Sequence, residues 1–288
     1  MILTETTPSQ PERTLLSSTG LLKIEKWSAG EQRGLVHTLG NSASLPFNTL
    51  HFMPQEERPS ALVWGQGSSK ERFYPLTGYT PIYTRVMDSE GQYHLNYYQM
   101  VGKAWGSALR EVHQLPVSGN TPSASYLPRT AVRSHHWLNE EGWEYLNKVL
   151  VTEHFEKLRQ WERSVTCGAN LVVSHGNAGF ISWLVSDRQV TGALLSGEDV
   201  GYALPEYDIG WVLGEFAELY AFYPRLRPKL VNLQKGFLTG YGDFLENNLN
   251  SGIAFRLIHH AYDWHHYAGA NLQATQLLIE LATDYLNR

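Results

Sequence analysis

The residues best equipped for chemistry fall in two stretches: SHGNAGFISW running on to SGEDVGYALPEYD, at 174–208, and HHAYDWHH, at 259–266. In the second stretch, helical spacing brings His259, Asp263 and His266 to one face, where three ligands and an open position would suit zinc. The competing reading, and the preferred one, is that these His and aromatic side chains are amphipathic spacers between packed helices. In the first stretch, Asn177 has one acceptor oxygen, no charge and no useful basicity. The hydroxyls of Ser182 and Ser196 stand in the same stretch as the carboxylates Glu198, Asp199 and Asp208. Other signals are thin. Gly65-Gln66-Gly67 lacks the third glycine and following helix of a nucleotide motif. Lys70 beside Glu71 reads as a solvated charge, His135-His136 as part of a loop, and Cys167 as a small buried apolar residue rather than a nucleophile. The 16 Tyr and 9 Trp read first as core, and second as lining for an apolar or peptide ligand.

These residues need elements to hold them. Residues 1–18 read as a mobile leader or a strand added late. Residues 19–100 read as a small β-rich lobe: LLKIEKW, GLVHTLG, NTLHFM and ALVWG are short β-like runs broken at Ala29-Gly30, Gly40-Asn41 and Pro54–Pro59. KERFYPL predicts a short helical turn, and PIYTRVMD with QYHLNYYQM predicts a hairpin around Ser89-Glu90-Gly91. From 101 to 288 the texture is mainly helical. Trp105, Leu109, Val112 and Leu115 sit at helical spacing before Pro116, and the same period recurs over 137–163, 209–222 and 252–287. The exception is 171–204, where LVVSHG, SWLVS and VTGALL read as strands around turns.

The segment 174–215 resembles the catalytic heart of the aminoglycoside phosphotransferase and choline kinase-like family, whose pattern is HGDxxxxN, a strand, a hairpin and IDWExAGxGDPxxDLA. His175-Gly176 match, Trp183-Leu184-Val185 fall in register as the strand, and Ser186-Asp187-Arg188 make the hairpin. Val200-Gly201-Tyr202 and Pro205-Glu206-Tyr207-Asp208 close the block. The resemblance implies a bilobal, protein-kinase-like α+β fold with a small antiparallel β lobe and a larger, mainly helical lobe. It also implies phosphoryl transfer in which the HGD aspartate orients the attacking hydroxyl, while the Asn and the second Asp hold Mg²⁺ on the nucleotide phosphates. His175 and Asp208 are then the residues that brace the loop.

The chain departs from that pattern at all three catalytic positions. Asn177 replaces the first aspartate and Ser182 the asparagine. The second aspartate falls on Ser196 when Gly201-Tyr202 anchors the alignment, or on Leu195 when Thr191-Gly192 does. Trp64 stands where the phosphate-holding strand lysine is expected, and Lys23 and Lys26 precede the glycine-loop candidate Ser28–Gly34, in which Glu31 would repel phosphate. Loss of a general base alone costs about 10²- to 10⁴-fold, and loss of both metal ligands costs more.

The expectation is therefore a pseudokinase that binds a small molecule, a peptide or a partner enzyme, with no cofactor. Its alternative is a divergent phosphotransferase using ATP and Mg²⁺, with Glu198 or Asp199 as substitute metal ligand. A fainter third is a cleft rebuilt for other chemistry around Asn177, Ser196 and the nearby His. Composition narrows the partners. With 23 Lys+Arg against 28 Asp+Glu, the net charge of −5 leaves no basic footprint for nucleic acid. No run of about 18 apolar residues argues for a membrane span. A single cysteine fits a reducing compartment, and the cytoplasm is the expected location.

Overall fold

Alternating burial makes the front of the chain a sheet. In the computed structural model, which describes residues 11–48, 60–88, 93–117, 126–139, 143–167, 169–186, 190–244, 249–269 and 271–288, LLKIEKW and GLVHTLG form β2 (Leu22–Ala29) and β3 (Gln32–Leu39). They are joined by a tight turn at Gly30, whose φ of 60° favours glycine. Ahead of them, β1 (Glu12–Ser18) is the added strand at the sheet edge, exposed along its whole length. KERFYPL contributes β6 (Glu71–Tyr74) rather than a helical turn, because Arg72 and Tyr74 point inward with period two. With β5 (Gln66–Gly67) the sheet order is β1-β2-β3-β6-β5. Of NTLHFM only Asn48 lies among the described residues.

The expected hairpin of PIYTRVMD and QYHLNYYQM is instead helical. After β7 (Tyr79–Pro81) come α1 (Ile82–Met87) and α2 (Leu95–His113); the turn Ser89-Glu90-Gly91 lies outside the described residues. The aromatic content of QYHLNYYQM favours strand, but Tyr98, Val101, Trp105, Leu109 and Val112 are all buried on one helical stripe, and tertiary burial overrides local propensity. ALVWG supplies β4 (Leu62–Trp64), which leaves the small-lobe sheet and pairs in parallel with β10 (Gly192–Ser196). The second sheet runs β4-β10-β9-β7, with β9 spanning Trp183–Ser186, and β8 (Val172–Ser174) pairs with β11 (Gly201–Ala203) as a two-stranded ribbon.

The helical lobe is completed by α3 (Arg129–Asn139), α4 (Glu144–Val149), α5 (Thr152–Thr166), α6 (Pro205–Phe222), α7 (Arg227–Tyr241), α8 (Leu249–Tyr267) and α9 (Leu272–Leu286). His135 lies within α3, not in a loop. Around Trp105 pack Phe180, Phe216 and Phe237, with ring centroids 5.2, 6.2 and 5.1 Å away. Helices α2 and α7 touch backbone to backbone through four glycines. A Cβ on Gly102 would lie 2.1 Å from Leu233 O, on Gly106 2.0 Å from Phe237 O, on Gly236 2.0 Å from Gln99 O, and on Gly240 2.0 Å from Lys103 O. No helix among the described residues is long and apolar enough to cross a membrane.

Hydrogen bonds of Asn48 and Gly20 are among those that tie the lobes together. Asn48 donates from Nδ2 to Val200 O at 2.7 Å and from its backbone N to Glu198 O at 2.9 Å, while its own carbonyl accepts from Arg72 Nη2 at 2.6 Å. On the far side of the cleft, Gly20 in the β1–β2 turn donates to Tyr267 O, at the end of α8, at 3.0 Å.

Candidate functional site

The loop after β8 is held from below by one carboxylate. Asp208, in the first turn of α6, is fully buried. It accepts from the backbone N–H of His175 at 2.7 Å and of Gly176 at 2.9 Å, and from His113 Nε2 at 2.9 Å. His113 in turn meets the Tyr241 hydroxyl at 2.7 Å through Nδ1, so the ends of α2 and α7 both bear on the loop. Burial works to raise the Asp208 pKa, but the His113 and His175 interactions outweigh it and hold the carboxyl below its usual value. Gly176 has φ of 80°, and a Cβ there would lie 2.1 Å from Asp199 O, so both backbone angle and space require glycine. His175 turns inward: Nε2 donates to Leu195 O at 2.6 Å and Nδ1 accepts from Asn177 N at 3.3 Å. Burial lowers its pKa, keeping the ring neutral.

Above this brace the loop presents Asn177 and Ser182. Ser182 Oγ donates to Asn177 O at 2.7 Å, and Asn177 Nδ2 donates to Asp199 Oδ2 at 3.2 Å. The other oxygen of Asp199 accepts from Arg129 Nη1 at 2.8 Å, and Arg129 stacks its guanidinium over Phe47 at 5.2 Å. Glu198 faces the small lobe, where Oε1 accepts from His37 Nδ1 at 2.6 Å and from the Tyr74 hydroxyl at 2.7 Å. Burial alone would raise the Glu198 pKa; His37 and Tyr74 reverse the sign and hold it low. Tyr74, sealed beside this carboxylate, has its hydroxyl pKa pushed well up by burial first and by Glu198 second.

The two candidate positions for the second aspartate lie on opposite faces of β10, since strand residues alternate. Leu195 packs with Tyr74 and Leu184 in a small apolar cluster on the small-lobe side. Ser196 stands opposite Trp64 in the β4–β10 pairing, with Oγ buried and without a hydrogen-bond partner. Trp64 is therefore a residue of the second sheet, and the residues that the small-lobe sheet sends to Glu198 are His37, on β3, and Tyr74, on β6.

Between the lobes lies a cavity of about 240 Å³, lined by Asn177, Ser182, Glu198 and Asp199 on its floor and roofed by Leu21, Leu22 and Ile24 of the small lobe. Neither Ser196 nor Trp64 lines it. Its far wall comes from α3, α6 and α8: Arg133, Trp211, Glu215, Arg256, His259 and Asp263. Glu215 accepts from Phe180 N at 2.7 Å and Arg256 Nη2 at 2.9 Å, Arg133 pairs with Asp263, and Arg256 lies 5.0 Å over the Trp211 ring.

The zinc alternative at the end of α8 is disfavoured by its contacts, although the helical spacing is as anticipated. His259 turns in to Ser134 Oγ at 2.8 Å, Asp263 is taken by Arg133, and His266 Nδ1 bonds its own turn at Tyr262 O, 2.9 Å away. Among the described residues no three His, Cys, Asp or Glu side chains come together as a metal site. Cys167, expected to be buried, is exposed at the end of α5.

Sequence reasoning did not single out His37, Arg129, Arg133, Glu215 or Arg256. A signal was present for the last of these, since one arginine in the apolar run GIAFRLI of α8 demands a buried partner. For His37 there was none, because it meets Glu198 from 161 residues away.

No family profile and no curated protein sequence matches the chain. Solved structures do. A thermostable mutant of aminoglycoside phosphotransferase APH(4)-Ia, in ternary complex with AMP-PNP and hygromycin B, superposes with a TM-score of 0.60 at 10% identity, covering 99% of this chain and 95% of that one. A second structure, of aminoglycoside phosphotransferase APH(4)-Ia, gives 0.56 at 10% identity over 98% and 94%. An ethanolamine kinase from Plasmodium vivax gives 0.52 at 14% identity over 96% and 80%. At such identities the likeness is one of architecture, and the chain has the bilobal, protein-kinase-like fold of the aminoglycoside phosphotransferases and ethanolamine kinase.

Proposed function

We propose that the protein is a pseudokinase of the aminoglycoside-phosphotransferase type, which holds a small molecule, a peptide or a partner enzyme at the cleft without efficient phosphoryl transfer and without ATP or Mg²⁺. The observation that carries this reading is that both cleft carboxylates after β10 already have internal partners: Glu198 with His37 and Tyr74, Asp199 with Arg129 and Asn177. Phosphoryl transfer depends almost wholly on positioned cations that neutralise spreading negative charge. A carboxylate bonded to a guanidinium or an imidazole is a poor ligand for a hard cation, and the Leu195 side chain offers no oxygen at all. Asn177 has no basicity with which to relieve an attacking hydroxyl of its proton. The cleft residues therefore do not make a fitting Mg-nucleotide site.

The test is a melting curve with millimolar Mg-ATP, repeated with EDTA, together with an assay of ATP turnover. No metal-dependent shift and no turnover are expected. A rise of several degrees that EDTA abolishes would overturn the reading. The double variant Asn177→Asp with Ser196→Asp should also fail to turn over ATP, because it leaves His37 on Glu198 and buries the second new carboxylate opposite Trp64.

A second reading, a divergent ATP-dependent phosphotransferase acting on a hydroxyl of a small molecule or on Ser/Thr of a peptide, is favoured by one observation. Asp199 brings a carboxylate to 3.2 Å from Asn177 Nδ2 inside the cavity. Under it Arg129 must release Asp199, and Asp199→Asn should abolish a turnover that the wild type possesses. For location we propose the cytoplasm, on the single cysteine; neither nucleic acid nor membrane is proposed as a partner.

A further inference from the structure

Away from the cleft, a groove of about 480 Å³ runs between α4 and α9. Its floor is apolar, made of Tyr145, Val149 and Ile279, and its α9 rim carries Gln276, Glu280 and Asp284, which share one helical face at intervals of four. Val149 is 46% exposed. The rim is acidic without compensation. On the neighbouring helices the surface carboxylates are answered from their own helix, Glu144 by Lys148, Glu153 by Lys157 and Glu156 by Arg159, as solvated helical faces usually arrange. Helix α9 contains no basic residue. Glu280 accepts from Gln276 Nε2 at 2.8 Å, and among the described residues no cation pairs with Glu280 or Asp284.

Helix α7 is the reverse case. It carries Arg227, Lys229 and Lys235 and no acidic residue. Lys229 donates to the carbonyls of Val86 and Asp88, at 3.3 and 2.7 Å. Arg227 and Lys235 are exposed, and among the described residues neither meets a carboxylate; the Arg227 guanidinium lies 5.7 Å from the centre of the Tyr220 ring. Val231, midway between them, is 46% exposed. Residues 227, 231 and 235 thus form a row of cation, apolar and cation about 12 Å long, the length of the Gln276–Asp284 rim at the same rise of about 1.5 Å per residue.

From the match of these two faces we infer that the α4–α9 groove receives α7 of a second copy of this chain. Val231 settles on Val149 and Ile279, which takes exposed apolar surface of both copies out of water. Arg227 and Lys235 supply the cations that Glu280 and Asp284 lack. Helix α7 packs on α2, whereas α9 packs on α8 and α5, so the two faces belong to different parts of the helical lobe. The contact is therefore head to tail, and it builds a ring or an open filament. No residue of either face lines the cleft cavity; the inference goes beyond the pseudokinase reading and holds whether or not the cleft transfers phosphate.

The experiment is sedimentation velocity on the intact protein at about 10 to 100 µM, the affinity range of a small interface. At about 0.15 M salt the repulsion between copies of charge −5 is screened beyond about 8 Å, whereas ion pairs in contact are not. The wild type is expected to gain mass with concentration, and about 1 M salt should weaken that association about tenfold. Two double variants separate the faces: Glu280→Lys with Asp284→Lys spoils the groove, and Arg227→Ser with Lys235→Ser spoils α7. Each alone should stay monomeric. Mixed, they should stop at a dimer, because one intact α7 meets one intact groove and the spoiled faces cannot extend it; that dimer also shows that both variants fold. Should a double variant fail to fold, Lys235→Ser alone should weaken the association about tenfold. A wild type that stays monomeric, association indifferent to salt, a double variant that assembles like the wild type, or a mixture that stays monomeric would each overturn the inference. A monomeric wild type that binds a labelled helical peptide of Ala-Lys repeats, lost in Glu280→Lys with Asp284→Lys, would also overturn it and give the groove to a basic helix of another protein.

Discussion

Asp208 is where a single side chain matters most, because two backbone donors and His113 converge on it in a site without water access. Asp208→Asn leaves one acceptor oxygen for three donors and removes the charge. Breaking such a buried, charge-assisted set costs about 3–5 kcal/mol, so chemical denaturation should show a loss of that order, with Glu111→Gln, exposed on α2, as a near-neutral control. At the residue scale the sequence revealed this brace well, since the interval from His175-Gly176 to Pro205–Asp208 is local and its residue types are distinctive. It also located the carboxylates Glu198 and Asp199. It did not reveal what answers them. His37 and Arg129 reach the cleft from other parts of the chain, and their pairing depends on how β3 and α3 are docked, which no local pattern records.

Elements were legible where period and burial agreed, as in β2, β3, the end of α2 and the strands β8 to β10. They were misread where aromatic residues suggested strand and packing demanded helix, as in residues 95–100, and where a charged tetrapeptide hid the alternation of β6. Helix α7 was not singled out, although Leu230, Leu233, Phe237 and Tyr241 lie along one buried stripe; the glycines that bring it against α2 are no part of that stripe. That contact is testable. Gly106→Ala places a methyl against the Phe237 carbonyl and should destabilise by about 1–3 kcal/mol or more, the usual effect of overpacking, despite the better helix propensity of alanine. Gly30→Ala, with open space around its Cβ, should cost only the strain of its positive φ, about 1 kcal/mol. Equal losses in the two variants, measured by urea denaturation, would contradict the close contact.

On the scale of the molecule, buried titratable groups set a pH range. His175 and His259 are held neutral by burial, so the unfolded chain takes up protons that the folded chain refuses. Stability should decline as pH falls below about 6.5, by about 1.4 kcal/mol per pH unit for each imidazole. Glu198, Asp208, Glu218 and Asp263 have depressed values. Their contribution is complete above the unfolded carboxyl range, near 4, and is lost as pH drops through the lower folded values. Urea midpoints measured across pH should show both onsets, and His259→Phe should flatten the upper one. The lobe joint is a separate matter: Asn48→Ala strands the Val200 carbonyl and should cost about 1–3 kcal/mol, with cleft exposure to protease rising in parallel. The glycine seam reaches further than helix stability. Helices α2 and α7 end on His113 and Tyr241, the two groups that position Asp208, so the height at which the loop stands is gauged by a contact made of bare backbone. A descendant can change what its cleft accepts by replacing wall side chains one at a time. It cannot alter the seam in that way, because any first substitution moves a whole helix and, through it, the floor of the cleft. Inherited variation in this protein should therefore gather on the wall and leave these four positions still.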